Sequence, residues 1–309
     1  MIDLGNGLDD KMKLFWAAFL KSIPNTIRKK LIIADLQISK ITENLYKNLT
    51  IKVNGVTYLI PDTASFYVVQ PHYEKLEQKW FHPKKGDVVV DIGAHIGKYT
   101  IEAAIRVGEE GKIIAVEPLP SNFEILKKNI KINKLRNVAA FNLAAWHSNC
   151  NLTFYVGISS AQGGAMKDFG HGTLEVEGRS MDALLNRSDI NKIDWIKMDV
   201  EGAEYEALLG LEETLRKFKP RLMIEVLLKN LDRVKTLLHM HGYSIQSSET
   251  YGEPSAKYVN LFCTKKRHQA TNLNSPQELS FELAETNDLI HQRNMQSQTQ
   301  SASRKRINA

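Results

Sequence analysis

Between Gly86 and about Lys266 the chain repeats one alternation: a short run of apolar residues, then a longer stretch with helical spacing of its apolar positions. This alternation restricts the fold more than any other feature. Strands buried on both faces read as continuous apolar runs, and parallel neighbours need a crossover of about a dozen residues or more between them. Runs of this kind lie at 88–91, 112–116, 138–142, 195–199 and 222–226. Two more, at 243–247 and 258–264, are separated by a loop with Gly252 and Pro254 that leaves no room for a helix, so a hairpin must join them. The expectation is an α/β domain with a Rossmann-like, mostly parallel seven-stranded sheet, helices on both faces and an antiparallel terminal hairpin strand. Ligands of such sheets bind beyond the carboxyl ends of the strands.

On either side of 86–266 the character of the chain changes. Residues 1–48 carry helical spacing broken at Pro24 and read as a helical appendage. In 49–85, Ile51, Val53, Val56, Tyr58 and Ile60 alternate with polar residues around Asn54-Gly55, a hairpin signal leading into an approach segment on the substrate side. Residues 267–309 are rich in Gln, Asn, Ser and Thr and read as a disordered polar tail. With 309 residues, 43% hydrophobic and 25% charged, the chain can bury one sizeable core.

Cys150 and Cys263 stand far apart in no metal-binding spacing, which fits a reducing, cytoplasmic setting and suggests neither a disulfide framework nor zinc. The net charge of +6 comes from 41 basic and 35 acidic residues spread along the chain, so nucleic acid is not the expected partner. No run approaches the roughly 20 apolar residues of a membrane span. Within residues 11–30, Phe15, Trp16 and Phe19 beside Lys11, Lys13 and Lys21 admit two readings. One is a helix packed on the domain, the other a weak membrane-surface contact.

Three stretches carry chemistry. The first, Val88-Val-Val-Asp91-Ile-Gly93-Ala94-His95-Ile-Gly97, is a buried strand, an acidic residue and a glycine turn opening a helix. His95 stands where a dinucleotide fingerprint needs its middle glycine, so close pyrophosphate approach is disfavoured and a nucleoside cofactor without phosphates fits better. The second, Ile113-Ile-Ala-Val116-Glu117-Pro118, puts a carboxylate about 20 residues after the glycines, where it can accept both ribose hydroxyls. Its bland alternative is a helix N-terminal acid. The third, Ile196-Lys-Met-Asp199-Val-Glu201-Gly202-Ala-Glu204, sets three carboxylates at and just past a strand end. At least one of them reads as a favourable first-turn charge, and Asp199 least so.

Together these stretches resemble the FkbM methyltransferase family. The resemblance rests on Val90-Asp-Ile-Gly-Ala-His-Ile-Gly-Lys-Tyr-Thr100, on Val116-Glu-Pro118 followed by Asn122 and Asn129, and above all on Lys197-Met-Asp-Val-Glu-Gly-Ala-Glu204 with Gly210. It extends over about residues 60–264, including Arg179-Ser-Met-Asp182-Ala-Leu184. What it implies is a class I fold and methyl transfer from S-adenosylmethionine, to a hydroxyl of a sugar, glycan or small natural product. Asp91, Gly93, Ala94 and Gly97 would then lie along the cofactor. Glu117 and Pro118 would lie at its ribose, Asn142 at the end of the next strand, and Asp199 near the methyl donor. His95 stands where the family often has Asn, and Ala144-Ala-Trp146-His147 lacks the acidic residue often found near the adenine.

A neutral hydroxyl is a poor nucleophile, so a base helps. The candidates are Asp199, assisted by Glu201, Glu204 or His95. No diagnostic metal-ligand set is visible. The acceptor is expected beneath the segment 62–80, with Phe66, Tyr67, Tyr73 and Trp80 as an aromatic wall, and beneath the loop 161–172. Rival readings are an RNA methyltransferase, a nicotinamide-dependent oxidoreductase and a non-catalytic nucleoside-binding module on the same kind of sheet.

Overall fold

The computed structural model describes residues 5–22, 35–157, 159–160, 163–166, 170–187, 190–248, 250–253 and 256–265. The polar stretch 267–309 lies outside them. Among these residues fourteen strands are formed: β1 (Leu49–Val53), β2 (Val56–Ile60), β3 (Val88–Ile92), β4 (Lys112–Val116), β5 (Val138–Phe141), β6 (Ala144–Ala145), β7 (Cys150–Val156), β8 (Gly163–Gly164), β9 (Thr173–Arg179), β10 (Trp195–Met198), β11 (Arg221–Leu227), β12 (Tyr243–Ser247), β13 (Tyr251–Glu253) and β14 (Ala256–Lys265). Ten α-helices accompany them among the described residues: α1 (Leu8–Ser22), α2 (Asp35–Tyr46), α3 (Thr63–Val68), α4 (Lys75–Trp80), α5 (Lys98–Val107), α6 (Pro120–Ile132), α7 (Met181–Leu185), α8 (Glu204–Leu209), α9 (Glu212–Phe218) and α10 (Leu231–Met240).

The main sheet runs β12-β14-β11-β10-β3-β4-β5. Pairing is parallel from β11 through β10, β3 and β4 to β5, and β14 lies antiparallel between β11 and β12. The short β13 folds back on β14 as an eighth strand, with Tyr251 opposite Tyr258 and Gly252 opposite Lys257. The seven-stranded expectation therefore holds for the main path and gains one ribbon at its edge. Apolar side chains of β3, β4, β10 and β11 fill the core, with Val90, Ile92, Ile196 and Ile224 all fully buried. Strand order reverses between β3 and β10, which is where a crevice opens at the carboxyl ends of a doubly wound sheet. The strands there end at Ile92 and Met198, immediately before Gly93 and Asp199.

Between β5 and β10 the chain forms a second, four-stranded sheet, β6-β9-β7-β8, that the sequence reading lacked. Its apolar face, with Phe154 and Val176 buried on Ala144 and Leu119, closes one side of the crevice. Gly163-Gly164, read as a loop, is β8 and pairs with Tyr155 and Val156.

The N-terminal elements form their own cluster. Leu14 and Ala17 of α1, Tyr46 of α2, Ile51 and Tyr58 of the β1-β2 hairpin and Phe66 of α3 pack against Ile96 and Ile101. Asn129 of α6 and Asn133, the residue that caps its C-terminus, fasten the hairpin. Asn129 donates its side-chain amide to Leu59 O and Ile96 O and accepts from Leu59 N, while Asn133 exchanges two hydrogen bonds with Thr57.

Candidate active site

A pocket of about 680 Å³ lies over the β3 and β10 ends. Its floor begins at the glycine turn. Gly93, His95 and Gly97 all have positive φ, near 79°, 53° and 98°. A Cβ on Gly93 would meet Asp199 O at 1.7 Å, so this glycine is required by the neighbouring strand end. Gly97 is required by its φ of 98°, and a Cβ there would also press on Leu126 Cδ1 at 2.7 Å. Only Gly93, Ala94 and His95 of the turn line the pocket; Gly97 and Asp91 lie outside the lining.

Asp91 departs from its expected place along the ligand. It is buried under the sheet end, paired in register with Lys197, and accepts the Thr100 hydroxyl at 2.5 Å on Oδ2. Burial raises its carboxyl pKa, and the Lys197 ammonium works against that shift. Asn142 is likewise outside the lining, because its amide is spent holding the loop carbonyls of Glu117 and Pro118 at 2.8 and 2.9 Å.

Glu117 and Pro118 do face the pocket. His95 N donates to Glu117 Oε2 at 2.8 Å and Leu119 N to Oε1 at 3.0 Å. Burial raises the carboxyl to about 7, and those backbone donors only partly offset it. The acid thus caps the loop before α6 and still presents a carboxylate to the cavity. The His95 ring lies 2.9 Å from Ser160 Oγ and 3.4 Å from Ser65 Oγ. Burial lowers its pKa to about 4, so the imidazole is neutral at physiological pH.

At the opposite end Asp199 and Glu201 line the cavity together with Glu225 of β11. One carboxylate oxygen from each lies within 4.8 Å of the other two, close enough for a single divalent cation. Tyr258 donates to Glu201 at 2.7 Å and Tyr251 to Glu225 at 2.5 Å. Burial, with repulsion from the neighbouring Asp199, holds the Glu225 carboxyl well above its ordinary range. Lys197 Nζ stands 3.4 Å from Asp199 Oδ2 and 5.1 Å from the Tyr99 ring centre. Burial works against its charge, but Asp199, Asp91 and Glu74 together keep its pKa above the ordinary lysine value.

Glu204 also lies away from the pocket. It is fully buried, with Oε1 accepting from Gly202 N at 2.6 Å and Oε2 from Asn230 Nδ2 at 2.8 Å. Its carboxylate ties the Val200-Glu201-Gly202 loop to the segment after β11, which fixes Glu201 in its left-handed conformation. The aromatic wall is also smaller than expected. Tyr67 and Tyr73 line the pocket, whereas Phe66 packs on Tyr46 and Trp80 stacks on Phe262. Glu225, Lys197, Tyr251 and Tyr258 were absent from the sequence candidates. The signal for Glu225 was present, since it is the one charge inside the apolar run of β11.

The residues fit a nucleoside cofactor without phosphates. A buried carboxylate at the second strand end faces a cavity beside a glycine turn, and no lysine or arginine sits at the α5 N-terminus to face a pyrophosphate except Lys98, which is turned to Glu74 at 3.5 Å. Strand order and site together define a class I methyltransferase, whose cofactor is S-adenosylmethionine. The methyltransferase FkbM domain matches residues 91–245, half of the chain, and the protein belongs to that family. It is 25% identical over 180 residues to Methyltransferase 1 of Beauveria bassiana, a match covering 51% of this chain and 72% of that protein. A probable cobalt-precorrin-6B C(15)-methyltransferase of Sulfolobus acidocaldarius is 42% identical over 53 residues, 17% of this chain and 28% of that enzyme's length. Among solved structures, methyltransferase FkbM from Methylobacillus flagellatus aligns with a TM-score of 0.42 and 20% identity, over 59% of this chain and 44% of that one. Among the described residues no helix is long and apolar enough to cross a membrane.

Proposed function

We propose that this protein O-methylates a hydroxyl of a small-molecule or glycan acceptor, with Asp199 as the base. The observation that carries the reading is the continuity of one cavity from Glu117 and His95 to Asp199, Glu201 and Glu225. S-adenosylmethionine supplies an electrophilic methyl group on a sulfonium. Glu117, held by His95 N and Leu119 N, accepts the ribose hydroxyls, and Gly93 and Ala94 let the backbone pass close to the donor. Asp199, with Lys197 Nζ 3.4 Å from its Oδ2, takes the proton as the acceptor hydroxyl gains its methyl group. Glu201 with Tyr258, and Glu225 with Tyr251, supply paired donors and acceptors of the kind that hold a polyhydroxylated acceptor.

Asp199→Asn is expected to lower kcat by about 10²- to 10⁴-fold while leaving the Kd for S-adenosylhomocysteine within about threefold of wild type. Unchanged turnover in that variant would remove Asp199 from the chemistry. The three-carboxylate group favours one second reading, in which a divalent cation at Asp199, Glu201 and Glu225 activates the hydroxyl. Full activity after dialysis against EDTA excludes it, and loss restored by Mg²⁺ or Mn²⁺ establishes it.

A further inference from the structure

Helix α1 has two apolar faces. Leu14 and Ala17 are buried against the hairpin and α2 cluster. On the opposite side Leu8, Met12, Phe15, Trp16 and Phe19 are 79%, 52%, 49%, 48% and 49% exposed. They follow one another at helical spacing and form a single stripe. Trp16 touches Phe15 and Phe19 edge-on, each at 5.7 Å between ring centres, and the two phenylalanines lie 6.4 Å apart. The three rings therefore form one surface. Single exposed apolar residues are ordinary; five in a continuous stripe mark an interaction site.

The charge of this stretch of sequence selects the partner of the stripe. From Lys11 to Ala34 the sequence holds Lys11, Lys13, Lys21, Arg28, Lys29 and Lys30 and no acidic residue. The two acids at the start of the helix are engaged by the protein itself: Asp9 pairs with Lys13 at 2.8 Å, and Asp10 Oδ1 accepts from Thr50 N at 3.3 Å. A second copy of this chain would bring the same basic segment against itself. An exposed aromatic face on a helix that carries Lys11, in a stretch of sequence with six basic and no acidic residues from 11 to 34, fits a lipid headgroup region instead, where rings enter the acyl boundary and ammonium groups meet anionic phosphates. We propose that α1 docks this protein on an anionic membrane surface through Leu8, Met12, Phe15, Trp16 and Phe19. The helix ends beside the active site, because Lys21 Nζ lies 3.4 Å from the hydroxyl of Tyr67, a residue of the pocket wall. Docking through α1 thus brings that wall toward the lipid.

The test uses the full chain and vesicles of phosphatidylcholine with or without phosphatidylserine. Sedimentation is expected with the phosphatidylserine vesicles, with affinity falling about tenfold or more on phosphatidylcholine alone and in a Phe15→Ser/Trp16→Ser/Phe19→Ser variant. Those side chains lie outside the core, so the variant should keep the wild-type melting temperature and S-adenosylhomocysteine affinity, which separates loss of docking from loss of fold. Absence of binding by folded wild-type protein, or equal binding by the variant, overturns the proposal. So does a wild-type dimer in light scattering that becomes monomeric in the variant, since the stripe would then be covered by a second copy.

Discussion

Glu117 shows how one side chain can be both a structural cap and a ligand group. Two backbone donors fix its orientation, yet burial keeps its pKa near 7 instead of the ordinary 4.5. Ribose hydroxyls donating to the carboxylate would favour its charged form, so binding must release the proton wherever the free protein still holds it. Affinity for S-adenosylhomocysteine should therefore strengthen as pH rises from about 5.5 to 7 and level off above that. In Glu117→Gln the profile should be flat and affinity lower by roughly 10-fold or more. Calorimetric titration at several pH values checks both, and an unchanged pH dependence in the variant would assign it to another group. The stability linkage has the opposite sense. A folded-state pKa raised above the unfolded value stabilises at acidic pH, and that contribution is lost as pH climbs through about 7. Glu117 and Asp199 were legible in the sequence because each follows an apolar strand run directly. Glu204 looked the same by spacing, but the turn at Glu201 and Gly202 swings it inward to Asn230. Lys197 was readable as a strand residue and not as a buried partner of Asp91 and Asp199, since strand register across β3 and β10 is a tertiary fact.

At the scale of elements, the hairpin β1-β2 matters because it is held to the glycine turn by a single buried amide. Asn129 joins Leu59 of β2 to Ile96 O, one residue from His95 and Gly97. Asn129→Ala removes three hydrogen bonds, to part-buried Leu59 N and O and to buried Ile96 O. The expected cost is roughly 3 kcal/mol, or about 5–10 °C in Tm. Asn133→Ala, at the C-terminal cap of the same helix and half-buried, should cost less than half of that, as water can replace its partners at Thr57. Thermal unfolding of the two variants side by side checks the ranking. The main-sheet strands were legible because continuous apolar runs have few other solutions. The second sheet was not, although Leu152, Phe154 and Val156 alternate with polar residues and Leu174 and Val176 do the same. Its strands have one solvated face and are interrupted by glycines, which makes them resemble loop.

For the molecule as a whole, the cavity is assembled from parts that are distant in sequence. Tyr67 and Tyr73 come from the approach segment, Gly93 and His95 from the first crossover, Glu117 from the second and Trp146 from the second sheet. Asp199, Glu225 and Tyr258 come from the far half of the main sheet. Sequence could place each of these at a strand end or in a loop, but their convergence depends on the β3/β10 reversal. A ligand that needs all of them binds only the assembled fold, so its binding free energy adds to global stability. S-adenosylhomocysteine at 100 times its Kd should add about 2.7 kcal/mol and raise Tm by roughly 5–10 °C in one cooperative transition. Glu117→Gln should melt without ligand below the wild-type temperature at pH 7, because its amide nitrogen faces one of the two backbone donors, and show a much smaller shift with ligand. If the ligand moved only part of a biphasic melt, the segments that contribute pocket walls would be folding as separate units. The Tyr67 wall, built from the N-terminal cluster, is the first place where that division would appear.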